Sequence, residues 1–427
     1  MSAPLVEATY VDLRITLRTG STPDSFHATA SVGDESVDGT LTVSMTADQV
    51  RQAIDQARAS TNPTLSRQRA PGSTDPLRAL GTQLFERLFE GPLGRVYLSA
   101  LKQAEAPESL GLRLRLVVDD PNAAALPWEF LYDPRGDAYL ALSLRTTVVR
   151  QRSAPSANGG AQPSRVPGPL LRVLYVMVDA GGYLGGREGI ALVEQIAENH
   201  ASMRVVVLSE PTLPQLAEAL AGGCDLLHYV GSVEDLNIRL GGREWVPAEA
   251  FLSLLPPSVR LVFLDTDGAD RFASALAPHV ESAVGIRGLI SVEASVVFAE
   301  GVYKCLLAGG SMEAAVATAR RKLGAAQPAG REWGLPVLYT QDPGARLALA
   351  PVRFETSPFE SLWSPPDAGP MSPVGYLLAL YTTNIRALEA QLAELGDAPP
   401  DFLVEQLQDE RNAAAGLEPQ MSAPEVS

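Results

Sequence analysis

Cysteine is nearly absent: Cys224 and Cys305 are the only two in 427 residues, so a disulfide framework is excluded. Four histidines scattered beside them supply no Cys/His spacing for a zinc site, and no metal or other cofactor is expected. No apolar run approaches the ~20 residues that a membrane-spanning helix needs. The start, MSAPLVEATYVDL, lacks the basic opening and apolar stretch of a secretion signal, so a cytoplasmic location without membrane attachment is expected. Positive charge is also scarce. With 34 Lys and Arg against 50 Asp and Glu, the net charge of −16 leaves no cation surplus for nucleic-acid phosphates, and general nucleic-acid binding is excluded.

What remains is an ordinary globular composition, 46% hydrophobic and 20% charged, long enough for two or three folded units. Partly alternating patterns at 9–17 and 39–45 predict an antiparallel patch, and Val50, Ile54 and Ala57 predict a helix over 47–59 with Thr46 as its cap, within a β-rich region 1–60. Leu80, Leu84, Phe85 and Leu88 mark a helix over 77–89, followed by another near 93–103 and an alternating strand, LRLRLVV, over 112–118. The Ser-, Pro- and Gly-rich stretch 151–169 reads as a linker in which proteolysis should concentrate.

Strands then alternate with helices. Strands are expected at 170–178, 203–208, 225–230, 260–264, 283–290 and 335–339, with helices at 188–200, 213–221, 248–255, 270–277, 293–307 and 312–323. That order implies right-handed crossovers and an α/β fold, a mainly parallel sheet with helices on both faces, over 170–345. Beyond an irregular segment, 374–395 and 401–417 predict an antiparallel helical hairpin, with 418–427 a disordered tail. No repeat of tetratricopeptide length is visible.

Two apolar runs, 225–230 and 260–264, stop abruptly in Gly231-Ser232-Val233-Glu234-Asp235 and in Asp265-Thr266-Asp267-Gly268-Ala269-Asp270. In an open α/β sheet, loops leaving the carboxyl ends of neighbouring strands form the ligand crevice, so these two should face one another. The blocks resemble the signatures of the CHAT family of caspase-like cysteine peptidases, His-aromatic-x-Gly-His-Gly and an apolar run followed by Asn-Ala-Cys. Here His228-Tyr229-Val230-Gly231 is followed by Ser232 where the dyad His belongs, and Asp265-Thr266-Asp267 stands where Asn-Ala-Cys belongs. Leu126-Pro127-Trp128-Glu129 is similar to the Leu-Pro-Trp-Glu marker of the subregion preceding the peptidase core, here 77–150. The closing Val284-Gly285-Ile286 and Trp333-Gly334-Leu335-Pro336-Val337 also resemble the family, so the likeness covers about 77–339. The C-terminal hairpin resembles a small helical module of bacterial conflict and signalling proteins.

The resemblance implies a caspase-like sheet preceded by a smaller α+β region, and a peptidase site without its dyad. Ser232 cannot serve as a base near neutral pH, Asp267 is a poor nucleophile toward an amide, and neither Cys224 nor Cys305 matches the nucleophile position. The expected function is therefore recognition or scaffolding of a protein or peptide partner by an inactive domain, its crevice formed by His228, Gly231, Glu234, Asp235, Asp265, Thr266 and Asp270. Two alternatives stay open: a hydrolase using Asp267 and neighbouring carboxylates, and an active cysteine peptidase with a different dyad. Trp128 reads as a core anchor, Glu129 as a structural hydrogen-bonder, and His228 as a core histidine.

Two other signals are weaker. The loop DAGGYLGGREG follows a strand and opens a helix, with Glu210 ending the next strand, but Gly182, Gly185 and Gly189 lack the dinucleotide-binding spacing. The acids Glu234, Asp235, Asp265, Asp267 and Asp270 could ligate a hard cation, yet their spacing fits no calcium loop, and solvated carboxylates are expected.

Overall fold

The computed structural model describes residues 9–54, 75–153, 170–178 and 186–347, apart from a few positions inside these ranges, together with Glu389, Gln408, Arg411 and Ala415. Residues 1–352 form one compact unit and 353–427 another. Among the described residues no helix is long and apolar enough to cross a membrane.

Alternation builds the N-terminal strands, β1 (Thr9–Thr19), β2 (Ser25–Val32) and β3 (Glu35–Thr42), which pair antiparallel in that order. The sequence reading finds β1 and the end of β3 but not β2. In SFHATASV the inward residues Phe26, Ala28, Ala30 and Val32 are buried and His27 is exposed, but two of the four are alanines, whose small apolar surface leaves the alternation faint. The strand expected at 39–45 begins earlier, at Glu35, after a tight turn with Gly33 at φ 54°. Helices α1 (Pro76–Leu88) and α2 (Pro92–Ala104) follow. Both start with Pro in the first turn, and α1 is capped by Asp75, whose side chain accepts from Leu77 N.

Beyond them lie β4 (Ser109–Val118), the short helix α3 (Pro121–Ala125), the two-residue hairpin β5 (Tyr132–Asp133) and β6 (Ala138–Tyr139), and β7 (Thr146–Gln151). The α/β alternation then runs β8 (Leu171–Met177), α4 (Gly186–Asn199), β9 (Met203–Ser209), α5 (Leu213–Ala221) and β10 (Leu226–Val230). A small antiparallel sheet of β11 (Val233–Glu234), β12 (Asn237–Arg239) and β13 (Trp245–Pro247) interrupts it. It resumes with α6 (Ala248–Leu254), β14 (Leu261–Leu264), α7 (Asp270–Leu276), β15 (Ser282–Ile286), α8 (Val292–Leu307), α9 (Met312–Ala326) and β16 (Pro336–Thr340).

All the long strands join one eleven-stranded sheet, in the order β3-β2-β1-β4-β7-β16-β15-β14-β10-β8-β9. The protein has an α/β fold with a mainly parallel sheet. Two parallel blocks make up nine of its strands: β1, β4, β7 and β16 run one way, and β15, β14, β10, β8 and β9 the other, while β2 and β3 add to the β1 edge by antiparallel pairing. The two blocks meet antiparallel between β15 and β16, where Ser282 Oγ donates to Thr340 Oγ1 at 2.9 Å. Strand β15 ends at Ile286 rather than continuing to 290, since Gly288 at φ 85° turns the chain. Gly285 must be glycine for space: a Cβ there would lie 2.6 Å from Ala269 O, on the segment leading into α7. Helices α4, α8 and α9 pack together along one face, and the right-handed rule for parallel crossovers assigns α5, α6 and α7, which connect β9 through β15, to the other.

The expected helix over 47–59 is described only in part. Its described positions between Gln49 and Ile54 are helical, with Val50 and Ile54 buried, and Thr46 lies outside the described residues. Most of the 151–169 stretch, the 374–417 hairpin and the 418–427 tail also lie outside them. Of the second unit, Glu389 and Arg411 are both helical and form a 2.7 Å ion pair.

Segment 126–130 packs against β7 and the turn that leads into β16. Trp128 is fully buried and its Nε1 donates to Ala123 O at 2.8 Å, while Phe130 packs edge-on against Trp333 with ring centroids 5.1 Å apart. Glu129 is buried and takes both arms of the Arg150 fork, Nε at 2.9 Å and a terminal nitrogen at 2.6 Å.

Candidate functional site

Strands β8, β10, β14 and β15 end side by side. Because the chain passes from β8 to β9 on one flank and then crosses to β10 on the other, the order reverses between β8 and β10, where α/β folds open a crevice. The loops after β10 and β14 are tied together. Asp265 N donates to Tyr229 O at 2.9 Å, Thr266 Oγ1 donates to Gly231 O, and Arg271 pairs with Asp235 at 3.0 Å in solvent. Ser232 follows Gly231 and Asp267 follows Thr266, so the two positions matched to the dyad belong to neighbouring loops.

Tyr229 shapes the first loop. Its Oη accepts from Ser232 N at 3.1 Å and donates to Arg239 O at 2.7 Å, pinning Ser232 against β12, and burial pushes this phenol up. Gly231 is required for space, since a Cβ there would lie 2.2 Å from that oxygen. The Ser232 hydroxyl is half-buried and has no hydrogen bond among the described residues.

Beneath the loops lies a buried polar cluster that the sequence reading misses except for His228 and Asp265. His228 is fully buried, stacked on Phe263 with centroids 4.3 Å apart, and its Nδ1 is 2.8 Å from Tyr303 Oη on α8. Its Nε2 approaches Asp265 Oδ2 to 3.4 Å but makes no hydrogen bond, so that contact is electrostatic. Asp265 Oδ2 instead accepts from Ser295 Oγ at 2.6 Å. Burial raises the Tyr303 phenol well above its ordinary range, with the Asp265 charge adding to the effect. Tyr303→Phe leaves His228 Nδ1 without a partner and should cost about 1–3 kcal/mol, read from the shift in urea midpoint. Tyr175, Ser295 and Tyr303 sit inside apolar or helical patterns, which carry no signal for a polar centre.

The five acids do not converge. Glu234 is exposed, Asp235 faces Arg271, and Asp265 is committed to the buried cluster. Asp267 Oδ1 accepts from Ile290 N at 2.9 Å, and Asp270 pairs with Arg287 at 3.0 Å. Arg287 in turn donates to the carbonyls of Ala124 and Ala125, linking the start of α7 to the segment before Trp128. Among the described residues no group of three or more His, Cys, Asp or Glu could hold a metal ion.

The chemistry available is limited. Among the described residues no imidazole faces Ser232 or Asp267, for His228 lies below them and is held by Tyr303. Burial pushes the Cys224 thiol up to about 12, with the Asp225 charge adding to it, and burial raises Cys305 as well, so neither thiol is an ionised nucleophile at neutral pH. In the glycine-rich loop, Gly182 and Gly185 lie outside the described residues. Gly189 is buried within α4, where a Cβ would lie 2.1 Å from Tyr175 Oη. Glu210 stands just past β9 at φ 50°.

The fold and crevice define an α/β protein with ligand-type loops at the carboxyl ends of its second parallel block. The chain is similar in structure to a complex of the pro- and mature domains of RgpB from Porphyromonas gingivalis, with a TM-score of 0.40 and 11% identity over 69% of this chain and 76% of that one. It is also similar to the Saccharomyces cerevisiae separase–securin complex, with a TM-score of 0.42 and 9% identity over 78% of this chain and 30% of that one. A second structure of that complex gives a TM-score of 0.42 and 11% identity over 77% and 30%. Likeness at this level assigns no activity. No family model matches the chain, and no curated protein matches it.

Proposed function

We propose that the chain is a CHAT-like, caspase-like domain without a working dyad, acting as a recognition or scaffolding module for a protein or peptide partner in a bacterial conflict or signalling system. The supporting observation is the pairing of the two loops. Thr266 Oγ1 reaches Gly231 O, so Ser232 and Asp267 lie on adjoining loops; on this reading they stand where the resemblance puts imidazole and thiol, and neither can carry that chemistry. Both cysteines have thiols raised by burial, which weighs against a displaced nucleophile. A crevice of this kind keeps its backbone donors and acceptors after the reacting groups are lost, and these can hold an extended peptide.

Incubating the full chain with a peptide library, with mass spectrometry and a cysteine-directed probe as readouts, should show retention of peptides without cleavage or probe labelling. Cleavage that disappears on changing a single crevice residue would sink the reading. The rival, a hydrolase using Asp267, rests on that residue's half-exposed place at the loop end. It requires a ligand-dependent or ion-dependent rise in melting temperature that Asp267→Asn abolishes. We expect no such rise with Mg²⁺, Ca²⁺ or Mn²⁺.

A further inference from the structure

The sheet has two edges, and they are treated differently. Strand β3 at one end, ESVDGTLT, carries Glu35, Asp38 and Gly39, the charges and glycine that discourage pairing with another chain. Strand β9 at the other end, MRVVVLS, has no proline, glycine or lysine. Its register with β8 is unbroken from Leu171↔Met203 to Met177↔Ser209, so no bulge twists it away. Arg204 is its one charge, and Val206 at its centre is 57% exposed. Among the described residues no strand pairs with its outer side.

The backbone directions define which groups are free. Leu171 N donates to Ser202 O and Glu210 N donates to Met177 O, so the even-numbered residues of β9 turn their peptide groups toward β8. Of the odd-numbered residues, Met203 is already taken, its N donating to His200 O at 3.0 Å and its O accepting from Arg204 at 2.8 Å, so the N–H and C=O that point outward without a partner strand are those of Val205, Val207 and Ser209. We propose that β9 pairs antiparallel with β9 of a second copy of this chain about a two-fold axis through Val206.

A second copy suits this edge because the strand is complementary to itself about that residue. Val205 and Val207 of opposite copies exchange both backbone hydrogen bonds, Val206 meets Val206 as a non-hydrogen-bonded pair, and Arg204 lies opposite Leu208. The two Arg204 side chains stand about 14 Å apart along the strands, beyond the Debye length at physiological salt. The apolar centre thus closes without setting like charges against each other, because the strand carries only Arg204 and none of the acids that give the chain its net charge of −16. The pairing stands whether or not the crevice binds peptide.

Light scattering on the full chain during size exclusion should give twice 45.3 kDa at tens of micromolar, and Val206→Lys should give the monomer with an unchanged circular dichroism spectrum. Under mild oxidation Val206→Cys should form a disulfide-linked dimer, since facing Cα atoms of a non-hydrogen-bonded pair lie about 4.5 Å apart. Arg204→Cys, at about 14 Å from its mate, should cross-link at least tenfold more slowly. A wild-type chain that stays monomeric, a dimer that survives Val206→Lys, or equal cross-linking at both positions would overturn the proposal. The first of these would leave the edge to a foreign strand.

Discussion

Glu129→Ala should lower folding stability by about 3–5 kcal/mol, because it strands a fully buried guanidinium rather than deleting a surface contact. Arg150 donates to both Glu129 oxygens and to the carbonyls of Ala124 and Leu126. Two further buried cations add to the positive field at Glu129. Arg287 has Asp270, but Arg320 is held by the carbonyls of Val148 and Pro336, and burial pushes its guanidinium down to about 10. Burial alone would raise the Glu129 carboxyl. The Arg150 charge and hydrogen bonds, helped by Arg287 and Arg320, outweigh it and hold the carboxyl below the usual range. A depressed carboxyl contributes stability that is complete above its unfolded value near ~4.3 and lost as pH falls through the lower folded value. The wild type should therefore lose stability below about pH 4 more steeply than Glu129→Ala, with the difference between them constant from pH 6 to 8. By contrast Arg271→Ala, which breaks the exposed pair with Asp235, should cost less than ~1 kcal/mol. Urea midpoints of both variants at pH 7 and pH 3.5 check the set, and equal losses from the two would refute the assignment of the buried pair.

The second large effect is chemical. Ser232→His together with Asp267→Cys should place an imidazole and a thiol on the two joined loops, and its thiol should react with iodoacetamide at least tenfold faster than Cys224 or Cys305. A neighbouring imidazole raises the thiolate fraction, whereas burial suppresses ionisation of both natural cysteines. Asp267→Cys alone should react more slowly than the double variant, because the nearby Asp265 charge raises a thiol. The substitution also removes the acceptor for Ile290 N, so the melting temperature of each variant must accompany the rate. Equal labelling of the single and double variants would mean that the loops are not aligned as the resemblance implies. Peptidase turnover is not part of the expectation, since the oxyanion donors and substrate pocket are separate requirements.

How much of this was legible depended on what a residue pattern encodes. β8, β10 and β14 were readable because a strand buried on both faces must be an apolar run with abrupt polar ends, as LLHYV and LVFL are. β2 was hidden by its alanines. The antiparallel sense of β16 against β15 was not readable, because period 2 reports burial and carries no direction. The facing of the loops after β10 and β14 followed from the order of elements. The fates of the acids did not, since Arg271 and Arg287 are ordinary exposed-type residues until the fold sets them beside Asp235 and Asp270.

Strand β16 fills the gap between β7 and β15 although it is the last strand of the sheet in chain order. During synthesis the five strands from β3 to β7 and the five from β15 to β9 can each assemble, but the two halves stay unjoined until Pro336–Thr340 has left the ribosome. The β7 edge, complete since Gln151, is already waiting when β15 ends, and for the roughly fifty residues from there to the end of β16, at 5–20 residues per second about 3–10 s, both edges stand open together. The chain's interval of greatest exposure to chaperones and to aggregation falls in those seconds, and inserting this one strand closes both edges at once.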